Sequence, residues 1–184
     1  MKRVLVPLAQ GFEEAEFIGI VDVLRRAGIE VLIAGLQGSC NVRGANNIEI
    51  KADIALSDID SKTLDGIALA GGFEGMQNLS NNEKVLQIIQ ELHAKGKIVA
   101  AICASPIVLN KAGVLSSEFT CYPGCEEGIV ATRLHEAVVV RDNIITSAGP
   151  ATAILFGLAI VKELMGENIY KSIYDGMQVP LSKL

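Results

Sequence analysis

Histidine is scarce in this chain of 184 residues: there are two, His93 and His135. Neither stands at a paired spacing from another histidine or from a cysteine, which argues against a zinc site and leaves metal chemistry without a ligand set. Cysteine is sparse too. The four residues Cys40, Cys103, Cys121 and Cys125 are too few and too spread for a disulfide scaffold and read as reduced thiols. No apolar run is long enough to cross a bilayer, so no membrane association is expected. No basic cluster exceeds Arg25-Arg26, and the net charge is −5, which together argue against nucleic acid and anionic membrane as partners. At the N-terminus, Pro7 and Glu13-Glu14 follow the short apolar run too soon for a secretory signal, so a cytoplasmic protein is expected. Low-complexity linkers are lacking as well, and the length suits one domain over 1–184.

What the chain does have is alternation of short apolar runs with amphipathic segments. Strands are expected over 3–8, 29–34, 65–70, 97–102, 118–120, 137–140 and 143–146. Helices are expected over 13–27, from a capping box Ser80-Asn81-Asn82-Glu83 to about Lys95, from Pro106 to about Ala112, over 151–165 and over 168–175. The stretch 36–60 reads as turns between short strands. Such βαβ order predicts an open, mainly parallel sheet with helices on both faces, whose sites lie beyond the carboxyl ends of the strands. Three loops share that edge: 10–16, 71–75 and 103–106.

The third loop carries the sharpest signal. A buried strand, Val99-Ala100-Ala101-Ile102, runs directly into Cys103, small residues Ala104 and Ser105, and Pro106 in the first turn of a helix. This is the layout of a nucleophile elbow, and the helix dipole at such a place is expected to acidify the thiol. The alternative is a buried cysteine acting as a small hydrophobe. In the first loop, Glu16 shares a helical stripe with Ile20, Val23, Leu24 and Ala27, so its carboxyl heads the buried face and its pKa should rise. A solvated position at the helix start is the alternative, and Glu14 falls on the opposite side of the wheel, near Asp22 and Arg25. In the second loop, Gly71-Gly72 ends a strand with backbone N–H groups unobstructed, as an oxyanion cradle requires. Gly149-Pro150 reads as a helix-start device that can also line the site. His93 is expected at the surface.

The segments Gly11-Phe12-Glu13-Glu14-Ala15-Glu16, Asp22-Val23-Leu24-Arg25-Arg26-Ala27-Gly28, Leu69-Ala70-Gly71-Gly72, Ala100-Ala101-Ile102-Cys103 and Thr146-Ser147-Ala148-Gly149-Pro150 resemble, in this order, the ThiJ/PfpI superfamily. The similarity is greatest to the branch of the Parkinsonism-associated deglycase and its bacterial relatives. The resemblance implies an α/β, flavodoxin-like three-layer sandwich with a mainly parallel sheet and a cysteine nucleophile elbow, and a homodimer. It implies Cys103 as the reactive thiol, Glu16 as a protonated partner, and Gly72 and Ala104 as backbone donors facing the sulfur. Gly71, Tyr122, Cys121, Gly149 and Pro150 are expected to line the site.

The chain also departs from the family pattern. Where the family often has Thr-His-Pro, Thr120-Cys121-Tyr122-Pro123 puts Tyr122 in the histidine's place, and tyrosine, with a pKa of about 10, is a poor base near neutrality. Frequent family arginines are replaced by Asn46, with Arg43 nearby, and by Ala148, so a less cationic pocket is implied. The activity implied is glyoxalase- or deglycase-like, on methylglyoxal, glyoxal or their adducts, with no metal or organic cofactor. The Cys103 thiolate would form a hemithioacetal and Glu16 would move the proton between adjacent carbons. The other reading is an oxidative-stress sensor or protective protein, in which Cys103 is oxidised and Cys121 either resolves it as a disulfide or is a buried strand residue. Protease activity, which needs a cysteine–histidine pair, ranks last.

Overall fold

A computed structural model describes residues 1–38, 40–115 and 117–182. Its main sheet has seven strands in the order β5-β2-β1-β6-β7-β9-β8. These are β1 (Arg3–Leu8), β2 (Glu30–Gly35), β5 (Ile54–Ala55), β6 (Gly66–Leu69), β7 (Ile98–Ile102), β8 (Val138–Arg141) and β9 (Ile144–Ser147). All neighbours run parallel except β8 and β9, whose two-residue turn, Asp142-Asn143, requires an antiparallel pair. A separate antiparallel hairpin, β3 (Asn41–Arg43) with β4 (Glu49–Lys51), stands outside the sheet. Its turn is built on the Gly44 to Asn47 segment, as expected for the stretch 36–60.

Strand periodicity divides the core into two layers. Val4, Val6, Leu8, Ala100 and Ile102 face one way, against Phe17, Ile20, Val23 and Leu24 of α1 (Glu14–Arg26) and Phe156 and Ile160 of α5 (Ala153–Met165). Leu5, Ile67, Leu69, Val99 and Ala101 face the other way, against α2 (Phe73–Ser80), α3 (Glu83–Ala94) and α4 (Pro106–Lys111). The sheet buried between two helical layers is the expected three-layer sandwich, closed at the chain's end by α6 (Glu167–Gly176). Among the described residues, no helix is long and apolar enough to cross a membrane.

Three local expectations are corrected. Helix α2 was not foreseen. Helix α3 is capped by Asn82, whose Oδ1 accepts from the Val85 N–H at 3.1 Å, while Ser80 ends α2 and turns its hydroxyl toward the Met76 sulfur. The segment 118–120 is not a strand of the sheet; Phe119 makes one isolated bridge with Arg133.

Strand β1 lies between β2 and β6, so the chain leaves it toward one edge of the sheet and returns to the other side. The crevice formed at that switch lies beyond the carboxyl ends of β1 and β6, with β7 next in line. The loops after these three strands meet there.

Candidate active site

Strand β7 delivers its last residue, Ile102, fully buried, and the chain then turns sharply at Cys103, where φ is +63°. A non-glycine residue in this left-handed region costs about 1–2 kcal/mol and persists only where its surroundings hold it. Three hydrogen bonds do so. The Cys103 N–H donates to the Ser147 carbonyl at 2.9 Å, the Tyr122 N–H donates to the Cys103 carbonyl at 2.9 Å, and the Ser105 hydroxyl donates to the Ala70 carbonyl at 2.6 Å. Pro106 then occupies the first helical position of α4. The elbow is thus fastened to β9, to the 122 loop and to the end of β6.

Glu16 comes to the same point from α1, whose N-terminus is capped by the Glu13 carboxylate accepting from the Glu16 N–H at 2.7 Å. The Glu16 side chain is 0 % exposed. Its Oε2 accepts from the Gly71 N–H at 2.6 Å; its Oε1 has no N–H or O–H donor among the described residues, and the polar side chain facing the carboxyl is the Cys103 thiol. Gly71 separates the two groups at close range: a Cβ there would sit 2.7 Å from both Cys103 Cβ and Glu16 Oε2, and 3.2 Å from Sγ. Only glycine fits. Gly72, at φ +85°, then turns the chain into α2 and presents its N–H to the sulfur, as does Ala104.

The electrostatics follow from burial. Desolvation raises the Glu16 carboxyl and Glu13's charge adds to it; hydrogen bonds from Cys103 and Gly71 oppose, and the carboxyl stands at about 7. Burial also pushes the Cys103 thiol up, as does an ionised Glu16, while the Gly72 and Ala104 N–H groups pull it down. Acidification by the helix dipole alone is therefore corrected: α4 is six residues long, and burial and the carboxylate outweigh it. Ionising both groups would set two negative charges against each other, so the site disfavours it; the Gly72 and Ala104 N–H groups favour a charge on sulfur, while burial opposes one on either group.

The other expected lining residues divide. Tyr122 stands at the mouth, its ring edge-on to Phe73 with centroids 6.3 Å apart, and a Cβ on Gly149 would touch the Tyr122 ring at 3.4 Å. Pro150 is exposed and opens the short turn Pro150–Thr152. Cys121 is a correction: it is fully buried in the opposite core layer with Cys125, and its thiol points to the Glu126 carboxylate at 3.8 Å. Burial pushes that thiol up to about 11.

Glu14 is the residue the sequence reading missed. It is buried, its carboxylate accepting from the Asn46 N–H at 2.6 Å, the Asn46 side-chain amide at 3.0 Å and the Ile48 N–H at 3.3 Å. Burial opposes its ionisation, but these bonds prevail and its pKa is lowered. They pin the β3–β4 hairpin to the start of α1. Arg43 faces Glu49 instead of the crevice. His93 is half-buried, so the expected surface position holds in part, with its Nδ1 enclosed and without a partner among the described residues; His135 is exposed.

The sequence profile of the DJ-1/PfpI family matches residues 2–163. The chain belongs to the DJ-1/PfpI family. Within the family it lies in the DJ-1 branch: it is 39% identical over 182 residues to protein dj-1beta of Drosophila melanogaster, covering 97% of each chain. The crystal structure of that Drosophila DJ-1beta superposes with a TM-score of 0.93 at 38% identity, over 96% of this chain and 97% of that one. A structure of oxidized Toxoplasma gondii DJ-1 gives 0.91 at 35% identity, over 97% and 98%. The glutathione-independent glyoxalase DJR-1.2 of Caenorhabditis elegans is 35% identical over 164 residues, 88% of this chain and 87% of its own.

Proposed function

We propose that this DJ-1 family member is a cofactor-independent, glyoxalase- and deglycase-like enzyme acting on reactive dicarbonyls such as methylglyoxal or on their adducts. The observation that carries the reading is the facing pair of Cys103 and Glu16, both buried, with a carboxyl held near neutrality. The naming of the Caenorhabditis elegans relative as a glyoxalase supports it. The Cys103 thiolate attacks the aldehyde carbon, forming a C–S bond while the oxygen takes the Glu16 proton. The Glu16 carboxylate removes the hydrogen from that carbon and returns it to the neighbouring one, while the hydroxyl proton on the first carbon passes to the oxygen of the second. The first carbon is oxidised to a thioester and the second is reduced to an alcohol. Water then releases lactate and frees the thiol. Steady-state lactate formation from methylglyoxal tests this: turnover lost in Cys103→Ala supports it, and lactate no greater than in that variant refutes it.

The second reading is oxidation of Cys103 as a stress response, favoured by two N–H donors aimed at the sulfur and by the oxidized Toxoplasma relative. A disulfide from Cys121 to oxidised Cys103 would first require the buried Cys121 thiol to be uncovered. We also infer a homodimer through the face where Ile18 and Ile48, each about half exposed, flank Ile154 and the Glu14–Asn46 clamp. Sedimentation of the chain as a monomer would exclude this.

A further inference from the structure

Two large aromatic side chains stand exposed beside the crevice, and the fold supplies no packing reason for either. Phe73 is 61% exposed and Tyr122 is 43% exposed. Phe73 directly follows Gly72, whose N–H faces the Cys103 sulfur, and begins α2. Tyr122 is joined to the elbow by its N–H bond to the Cys103 carbonyl at 2.9 Å. The rings therefore reach toward each other from the two loops that bracket the thiol. Their planes are 89° apart, edge to face. A flat ring can add to such a pair by stacking on one member and presenting its edge to the other.

The charges around the crevice define what else the ligand carries. Asn46 and Ala148 are uncharged. Arg43 is tied to Glu49, and Arg133 to the Cys121 carbonyl and Glu126. Glu13 caps α1, and Glu74 stands in the first turn of α2 against Gly11, so two acidic side chains flank the loops that meet at the thiol. An acidic substituent on the substrate would meet repulsion, with Arg43 and Arg133 already paired among the described residues. A neutral, flat, apolar substituent would not.

We propose that Phe73 and Tyr122, meeting edge to face beside the Cys103 elbow, form an aromatic subsite that selects α-oxoaldehydes bearing an aryl group. The proposal rests on the reading of Cys103 as the group that attacks the aldehyde. The chemistry is that already described: the aldehyde carbon of phenylglyoxal is oxidised, its ketone carbon is reduced, and water is consumed to give mandelate.

The test is the ratio of kcat/KM for phenylglyoxal to that for methylglyoxal. It should fall about tenfold in Phe73→Ala and in Phe73→Leu, which keeps apolar bulk, and equally in Tyr122→Ala, while Tyr122→Phe restores it. An unchanged ratio in the alanine variants overturns the proposal. A second measurement needs no turnover. Benzamide should slow iodoacetamide alkylation of Cys103 in the native chain more than acetamide does, and Phe73→Leu should remove the difference. Equal protection by the two amides overturns the subsite. Benzamide-specific protection in a protein that makes neither lactate nor mandelate upholds the aromatic subsite and rejects the catalytic reading alone.

Discussion

Glu16→Gln isolates the energetic consequence of burying a carboxyl. The amide keeps the shape, its oxygen still accepting from the Gly71 N–H, but cannot ionise. In the native chain burial holds the carboxyl at about 7 against its ordinary 4.5. Below pH 4.5 it is protonated in folded and unfolded chains alike, so it places no burden on the fold. Between 4.5 and about 7 the unfolded chain releases the proton while the folded chain retains it, and stability must fall as pH rises. Above about 7 the folded group ionises too and the loss levels off. At about 1.4 kcal/mol per pH unit across that window, the loss amounts to roughly 3 kcal/mol. Urea unfolding of both proteins from pH 4 to 8 measures it. Carboxyls of lowered pKa, such as Glu14 and Asp65, give an opposite slope to both proteins and cancel in the difference. The native-minus-variant difference should therefore drop by about 3 kcal/mol as pH rises to 7.5. A difference curve flat to within about 0.5 kcal/mol would refute the claim that burial governs this carboxyl.

Gly71→Ala, which forces a methyl group within 2.7 Å of both Cys103 Cβ and Glu16 Oε2, should cost about 1–3 kcal/mol in urea unfolding and at least about tenfold in lactate formation. Glu14→Ala removes the charged acceptor of the Asn46 and Ile48 N–H groups and should destabilise by about 2 kcal/mol, with hydrogen exchange rising first in the β3–β4 hairpin. Because its pKa is lowered, Glu14 stabilises the fold above about pH 4.5, and that contribution disappears as pH falls through the folded value, so the variant should show a weaker acid transition. Asn82→Ala should lower thermal stability by about 1 kcal/mol, several times the effect of Ser80→Ala, since Asn82 and not Ser80 caps α3.

The strands around β1 and helices α1, α3 and α5 were legible because each buries a continuous run or a stripe of helical period, and α6 because Tyr170, Ile173 and Tyr174 pack, partly buried, on one face. Glu16 was legible for the same reason: its stripe is the one that meets the sheet. Glu14 was not, because what buries it is a hairpin more than thirty positions away on the outer side of α1, and a helical wheel records one core only. The Asn46 turn, with its free amide and N–H groups, was the available signal. Helix α2 was hidden by Gly75, which lowers helical propensity but lets the turn press against the Phe12 backbone, where a Cβ would lie 3.0 Å away. Cys121 sits beside the family's histidine position in sequence, but its segment joins no ladder, so no alternation rule fixes which way its thiol points.

The left-handed backbone at Cys103 sets stability and chemistry against each other at a single residue. Glycine is the amino acid for which this turn is unstrained, so a chain selected for durability alone would place glycine at the elbow. Random substitution followed by screening for heat resistance should therefore drift toward an inert elbow, and stabilisation of this scaffold for practical use has to be sought elsewhere in the molecule, with position 103 held fixed.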